Sequence, residues 1–335
     1  MKKHVLYSFG EDYAKVAAVS MLSLVNNNTD IEIHAFTINI SSSTVELMKK
    51  WLASKNVCIN FYDINDKVDI YRKIYGHRMN HVGTFGRLLA TNILPDNISE
   101  ILYLDCDTLV LSNLDEIFKI QFNDNLLAGV YDMALPAVNV KNSLGLDDDA
   151  FYINAGIVYI NLNEWRRKSL HDEFYTFCKN HPNAIFFDQD ALNYVCKGKI
   201  LKLSPKYNFT FISSELPIKE AKKILDKATF KFYSEDIFVQ SQKCPAIIHF
   251  ASELFGKPWF DISNIKFCKE WRELYCQTPW KEQPLSKRIY SKNKYINIYK
   301  KYCEKIITYF YIKHQYDKVT ILYNILYKTA HKFYR

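Results

Sequence analysis

Asp105-Cys106-Asp107 is the segment whose residue types and spacing could do chemistry most directly. It closes the apolar run Ile101-Leu102-Tyr103-Leu104, so two carboxylates stand where a strand gives way to a loop. In open α/β sheets, the crevice beyond the carboxyl ends of the strands is where ligands bind. Hard carboxylate oxygens there suit Mg²⁺ or Mn²⁺, ions that usually accompany phosphate. The expectation is therefore a divalent ion holding a diphosphate. Asp147-Asp148-Asp149 is also acidic, but it follows no strand and reads as solvated loop.

The elements that must position the Asp pair can be read from periodicity. His4 to Phe9 reads as a buried strand ending at Gly10, and Tyr13 to Val25 carries apolar residues at helical spacing. Asp30 to Ile38 reads as a second strand, Ser41 to Ala53 as a helix with a serine cap, and Val57 to Tyr62 as a third strand. This β-α-β-α-β order predicts a parallel sheet with helices on its faces. A helix over Gly86 to Leu94 is stopped by Pro95, and strands follow at 101–104, 126–131 and 157–161. Asn163 is expected to cap a helix running to Asn180; Asp188 to Cys196 reads as helix and Ala246 to Phe250 as a late strand.

Composition narrows the class. The 335 residues are 48% hydrophobic and 24% charged, as in a globular protein, and nine Gly and nine Pro argue against long flexible linkers. The net charge is +8, but Lys281 to Arg335 alone holds 13 Lys and Arg against 3 Asp and Glu. The basicity thus belongs to that segment, whose aromatic and aliphatic residues fall in helical stripes (Tyr299, Tyr302, Cys303, Ile306, Phe310 and Val319, Leu322, Tyr323, Leu326, Tyr327). Nothing resembles a nucleic-acid module, so no nucleic-acid partner is expected. The eight cysteines have no Cys-x-x-Cys spacing, which points to reduced thiols in the cytoplasm.

Several segments, in order, give the chain its resemblance to a known family. They are the first strand leading to Tyr13, Phe85-Gly86-Arg87-Leu88, Tyr103 to Asp107, Phe151-Tyr152-Ile153-Asn154-Ala155-Gly156, Asp188-Gln189-Asp190-Ala191-Leu192-Asn193, and His249-Phe250 followed by Lys257-Pro258-Trp259. Over about residues 4 to 260 the chain resembles the family 8 glycosyltransferases, retaining enzymes that use nucleotide sugars and include bacterial lipopolysaccharide galactosyl- and glucosyltransferases. The resemblance implies an α/β GT-A fold with a Rossmann-like mixed central sheet over residues 1–262. Residues 263–335 would then form a basic helical segment that attaches the enzyme peripherally to the inner face of the cytoplasmic membrane, the alternatives being that its helices pack on the catalytic domain or pair with another subunit.

The resemblance also implies roles. Asp105, Asp107 and His249 would hold Mn²⁺ or Mg²⁺, with UDP-hexose as donor substrate. Tyr13 would stack on the base, Arg87 would contact the sugar and phosphate, and Lys257 would contact the diphosphate, while Cys106 lies within the same cofactor-binding segment. Asn154 and Ala155 would lie along the sugar hydroxyls, where Gly156 lets the backbone come close. Asp188 and Gln189 would sit near the anomeric carbon, and Asp132 near the saccharide acceptor. Gln189 is a poor nucleophile, which favours attack from the face that UDP leaves; Asp190 is the other side chain weighed as a nucleophile. Two departures from the family pattern stand out. Gly10 occupies the place of an Asp that reads the base, with Glu11 and Asp12 adjacent, and Ser252 replaces a Gly, with Glu253-Leu254-Phe255-Gly256 lengthening the loop before Lys257.

Overall fold

The computed structural model describes residues 2–76, 82–133, 140–210, 214, 217–226, 228–251, 257–261, 265–286 and 306. The chain begins with alternating strands and helices: β1 (Lys3–Gly10), α1 (Ala14–Asn27), β2 (Ile31–Ile38), α2 (Ser42–Ala53), β3 (Cys58–Asp63) and α3 (Asn65–Tyr75). After a 3₁₀ segment at Val82–Leu89 come α4 (Ala90–Ile93), β4 (Glu100–Leu104), β5 (Thr108–Val110), α5 (Asp115–Phe118) and β6 (Leu127–Tyr131). Then follow α6 (Val140–Ser143), β7 (Ile153–Asn161), α7 (Leu162–Arg167), α8 (Leu170–Asn180), α9 (Asp188–Val195) and β8 (Ile200–Lys202). The described elements end with β9 (Phe209–Thr210), α10 (Ile218–Ile224), α11 (Thr229–Phe232), α12 (Glu235–Lys243), β10 (Ile247–His249) and α13 (Cys268–Tyr275).

The strands form a seven-stranded sheet ordered β3-β2-β1-β4-β7-β6-β8 and a small sheet ordered β5-β10-β9. β3, β2, β1 and β4 are parallel, as the alternation predicts. β7 is antiparallel to both β4 and β6, so the sheet is mixed, as the family resemblance implies. The β6–β7 connection needs no crossover helix, because an antiparallel neighbour can be reached by a loop. The central strands are apolar on both faces: Val5, Leu6, Tyr7, Ile101, Leu102 and Leu104 are buried, as expected for a sheet covered on both sides.

Local signals explain most of the helices. Ser41 caps α2, its Oγ accepting from Thr44 N at 3.2 Å; such a cap contributes about 1 kcal/mol. The expected helix over 163–180 is two helices. Asn161, not Asn163, caps α7, and Ser169 at φ 52° breaks the chain before α8. The sequence reading also passes over α3. Its apolar face is a narrow stripe of Val68, Tyr71 and Tyr75 among charges, and it becomes evident only when Tyr71 stacks on Phe85 at 4.3 Å.

Cys58, Cys106, Cys178, Cys196, Cys244, Cys268 and Cys276 are free thiols, in line with the reduced cysteines expected. No described helix is long and apolar enough to cross a membrane. Apart from Ile306, the stripes assigned to the basic C-terminal segment lie outside the described residues, as do residues 252–256 of the lengthened loop.

Candidate active site

β2 lies on one side of β1 and β4 on the other, so the strand order reverses between β1 and β4, where a crevice is expected beyond their carboxyl ends. The Asp105–Asp107 turn lies there. It carries the chain from β4 in the large sheet to β5 in the small one. β10 pairs antiparallel with β5, and the register sets His249 opposite Thr108. A residue remote in sequence is thereby brought to the Asp pair: His249 Nε2 lies 3.2 Å from Asp107 Oδ1 and 3.8 Å from Asp105 Oδ2.

The proton on His249 can be placed from the backbone outward. Gly156 N–H donates to Asn154 Oδ1 at 3.0 Å, which fixes the Asn154 amide. Asn208 Nδ2 donates to the same oxygen at 2.9 Å, so Asn208 Oδ1 must be the atom 3.0 Å from His249 Nδ1. Nδ1 therefore carries a hydrogen, and in the neutral ring the Nε2 lone pair faces two carboxylates. A lone pair and two carboxylates converge stably only on a cation. The three ligand atoms lie within 4.8 Å of one another, and the oxygen-rich donor set fits Mn²⁺ or Mg²⁺. Gly156 is required beside them, because an added Cβ would stand 2.2 Å from His249 Cε1 and 2.9 Å from Asp105 Oδ2.

Each carboxylate is held from behind. Asp105 Oδ1 accepts from Arg87 Nη2 at 2.9 Å and from Tyr103 OH at 2.8 Å. Asp107 Oδ2 accepts from Lys257 Nζ at 2.9 Å. Burial alone would raise the Asp107 carboxyl, but the Lys257 ammonium holds it well below the ordinary range. Arg87 is only 2% exposed. It also donates to Thr84 O at 2.8 Å and to Ala155 O, pairs with Asp188 Oδ2 at 3.0 Å, and lies over the Tyr103 ring. It ties β4, β7 and α9 together behind the carboxylates.

The start of α9 forms the opposite wall. Phe187, at φ 47°, turns the backbone sharply before the helix begins. Asp188 is buried; burial, opposed by Arg87 and reinforced by Asp105, pushes its carboxyl up to about 6. Gln189 donates to Asp132 Oδ2 at 2.9 Å, and its oxygen accepts from Ala155 N at 3.0 Å. Asp132 also accepts from Asn154 Nδ2 at 3.4 Å, so Asp132, Asn154, Ala155 and Gln189 share one network. Asp190 accepts from Tyr152 OH at 2.5 Å, Ile185 N at 2.8 Å and Phe186 N at 2.9 Å. Those bonds make it a brace for the loop before α9 and not a nucleophile.

At the other end, Tyr13 packs edge-on against Trp259 at 6.1 Å, and Lys257 lies over the same indole. Gly10 fits tightly, since a Cβ there would stand 3.0 Å from Ile38 O. Glu11 accepts from Ser41 N at 2.7 Å and from Thr44 Oγ1 at 2.5 Å, which commits it to the start of α2, while Asp12 is exposed. The Cys106 thiol turns inward to Ser8 O at 3.6 Å, so this residue faces the crevice through its backbone. Sequence reasoning missed Asn208 and Tyr103. The one available signal was a polar Asn208 among the aromatics Tyr207 and Phe209.

The model of glycosyl transferase family 8 matches residues 4–263. The chain is 24% identical to the lipopolysaccharide 1,2-glucosyltransferase of Escherichia coli, over 91% of this chain and 88% of that one. It is also 24% identical to general stress protein A of Bacillus subtilis, over 83% and 94%. Among solved structures, the galactosyltransferase LgtC in complex with donor and acceptor sugar analogues superposes with a TM-score of 0.70 at 21% identity, over 83% of this chain and 99% of that one. The glycosyltransferase GlyE of Streptococcus pneumoniae does so with a TM-score of 0.60 at 22% identity, over 82% of this chain and 60% of that one.

Proposed function

The chain belongs to glycosyltransferase family 8 and is a glycosyltransferase with the GT-A fold; from that premise we propose a retaining, metal-dependent enzyme. It moves a hexose, galactose or glucose, from a UDP-sugar to a lipopolysaccharide or lipooligosaccharide core. The convergence of His249 Nε2 on the Asp105 and Asp107 carboxylates is the observation that carries the reading. The acceptor class rests on similarity to the lipopolysaccharide glucosyltransferase over most of both chains.

Asp105, Asp107 and His249 hold the ion, which when bound offsets the charge developing on the UDP leaving group. Tyr13 supplies the face for the base, and Lys257 moves between Asp107 and the diphosphate as a point charge. Asn154 and Ala155 line the sugar, Asp188 fixes it, and Gln189 and Asp132 face the acceptor side as one bonded pair. Gln189 has its oxygen committed to Ala155 N, and Asp190 is a brace. This supports attack by the acceptor hydroxyl on the face that UDP leaves. The bond from the anomeric carbon to the β-phosphate oxygen breaks, a bond to the acceptor oxygen forms, and the hydroxyl proton passes to the phosphate.

Residues 1–262 form the catalytic unit. The basic segment 263–335 attaches it to anionic lipid at the inner face of the cytoplasmic membrane, each lysine near the surface contributing about 1 kcal/mol.

The test is UDP release from a panel of UDP-sugars without acceptor, with Mn²⁺ or chelator, for wild type and Asp107→Ala. The expected outcome is slow hydrolysis of one UDP-hexose that falls at least about 100-fold with chelator or in the variant. Absence of metal-dependent release from every UDP-sugar would sink the reading and favour a non-catalytic scaffold.

A further inference from the structure

A second set of metal-ligating side chains lies on the face of the large sheet near the amino ends of β1, β2 and β3, at the opposite end from the crevice. The parallel register sets His4 beside Glu32 and His34 beside Leu6, and beyond them Asn60 beside His34 and Tyr62 beside Phe36. In-register residues of parallel strands point to one face. His4, Glu32 and His34 therefore converge, and their ligand atoms lie within 4.8 Å of one another.

We propose that His4 Nδ1, His34 Nε2 and the Glu32 carboxylate form a Zn²⁺ site, with solvent as the fourth ligand. Two features support a built site. First, the ring nitrogens lie 3.0 Å apart, held by one shared hydrogen. Two nitrogens on a tetrahedral Zn²⁺ at about 2.0–2.1 Å stand about 3.3 Å apart, so the ion replaces that hydrogen with a shift of a few tenths of an ångström. Second, the outer partners are in place. His34 Nδ1 is 3.1 Å from Tyr62 OH, and Asn60 Nδ2 donates to Glu32 Oε1 at 2.9 Å. These are the bonds that orient a ligating imidazole and a ligating carboxylate. His34 is buried, while His4 and Glu32 are half-buried, which leaves the open side to solvent.

The donor sets separate the two sites. Two imidazoles and one carboxylate suit Zn²⁺, whereas two carboxylates and one imidazole in the crevice suit Mn²⁺ or Mg²⁺. The Zn²⁺ site makes no contact with the crevice residues. It cross-links β1 to β2, and its role is to stabilise the sheet.

The test is calorimetric titration of the chelator-stripped full chain with Zn²⁺ in saturating Mn²⁺, alongside thermal melts. One Zn²⁺ per chain is expected to bind and to raise the melting temperature. His4→Gln and Glu32→Gln should each weaken that binding at least about 10-fold while keeping one bound Mn²⁺, which also reports that each variant is folded. No Zn²⁺ binding to the Mn²⁺-saturated chain, or equal Zn²⁺ binding in wild type and both folded variants, overturns the proposal.

Discussion

The two walls of the crevice hold similar residues to different ends. On one side, Asp105, Asp107 and His249 are each fixed from behind and present a lone pair or charge forward. On the other, the start of α9 turns much of its polarity inward: Gln189 is bonded through both ends of its amide, and Asp190 accepts from one hydroxyl and two backbone N–H groups. Asp188 lies between these extremes, paired with Arg87 yet buried enough to resist ionisation. A cluster of acids at a cleft thus divides by where its hydrogen bonds go, which composition does not reveal. The first wall presents a set of ligand atoms forward, and the second holds a shape.

Four substitutions would break or sharpen this contrast. The largest effect is expected from Gly156→Ala. Its methyl would meet the His249 ring and Asp105, so Mn²⁺ affinity measured by calorimetry should fall at least about 100-fold, with an overpacking cost of about 1–3 kcal/mol. Asp188→Asn tests the intermediate case by pH. The folded carboxyl titrates near 6 against an ordinary 3.8, so the folded chain holds its proton longer and wild type loses stability as pH rises from about 4 to about 6. Denaturant melts should therefore shift in the variant's favour by up to about 3 kcal/mol between pH 4 and pH 8. A pH-independent difference would contradict the buried, proton-retaining Asp188. Asn208→Ala frees Nδ1 of His249 and should weaken Mn²⁺ binding about 10- to 100-fold with the fold intact by circular dichroism. Asp190→Asn should leave Mn²⁺ affinity unchanged and cost about 1–2 kcal/mol in stability, because the amide nitrogen meets a donor where an oxygen accepted.

Elements with a long periodic signal were legible. β1, β2, β3 and β4, the Ser41 cap and the helix from Asp188 stand close to where the sequence places them. The Asp pair at the end of β4 was also legible, because a polar doublet after an apolar run marks a strand end. β5 and β9 were not, since strands of three and two residues carry no usable alternation and neither sits in a longer apolar run bounded by turn signals, as β10 does. Asn208 was hidden for the same reason: its place beside His249 depends on β9 pairing with β10, which no local pattern encodes. The bonds of Arg87 were hidden too, because an arginine within an expected helix gives no sign that Asp105, Asp188 and Ala155 will close around it.

β10 is three residues long, and His249 ends it opposite Thr108. The strand therefore works as a ruler. Its side chains at Ile247 and Ile248 can change identity while the ruler keeps its length, but one residue gained or lost between Ala246 and His249 would move the imidazole to the other face of the ribbon and deliver a hydrocarbon to the carboxylates. In this part of the molecule a volume-conserving substitution costs less than an insertion or deletion.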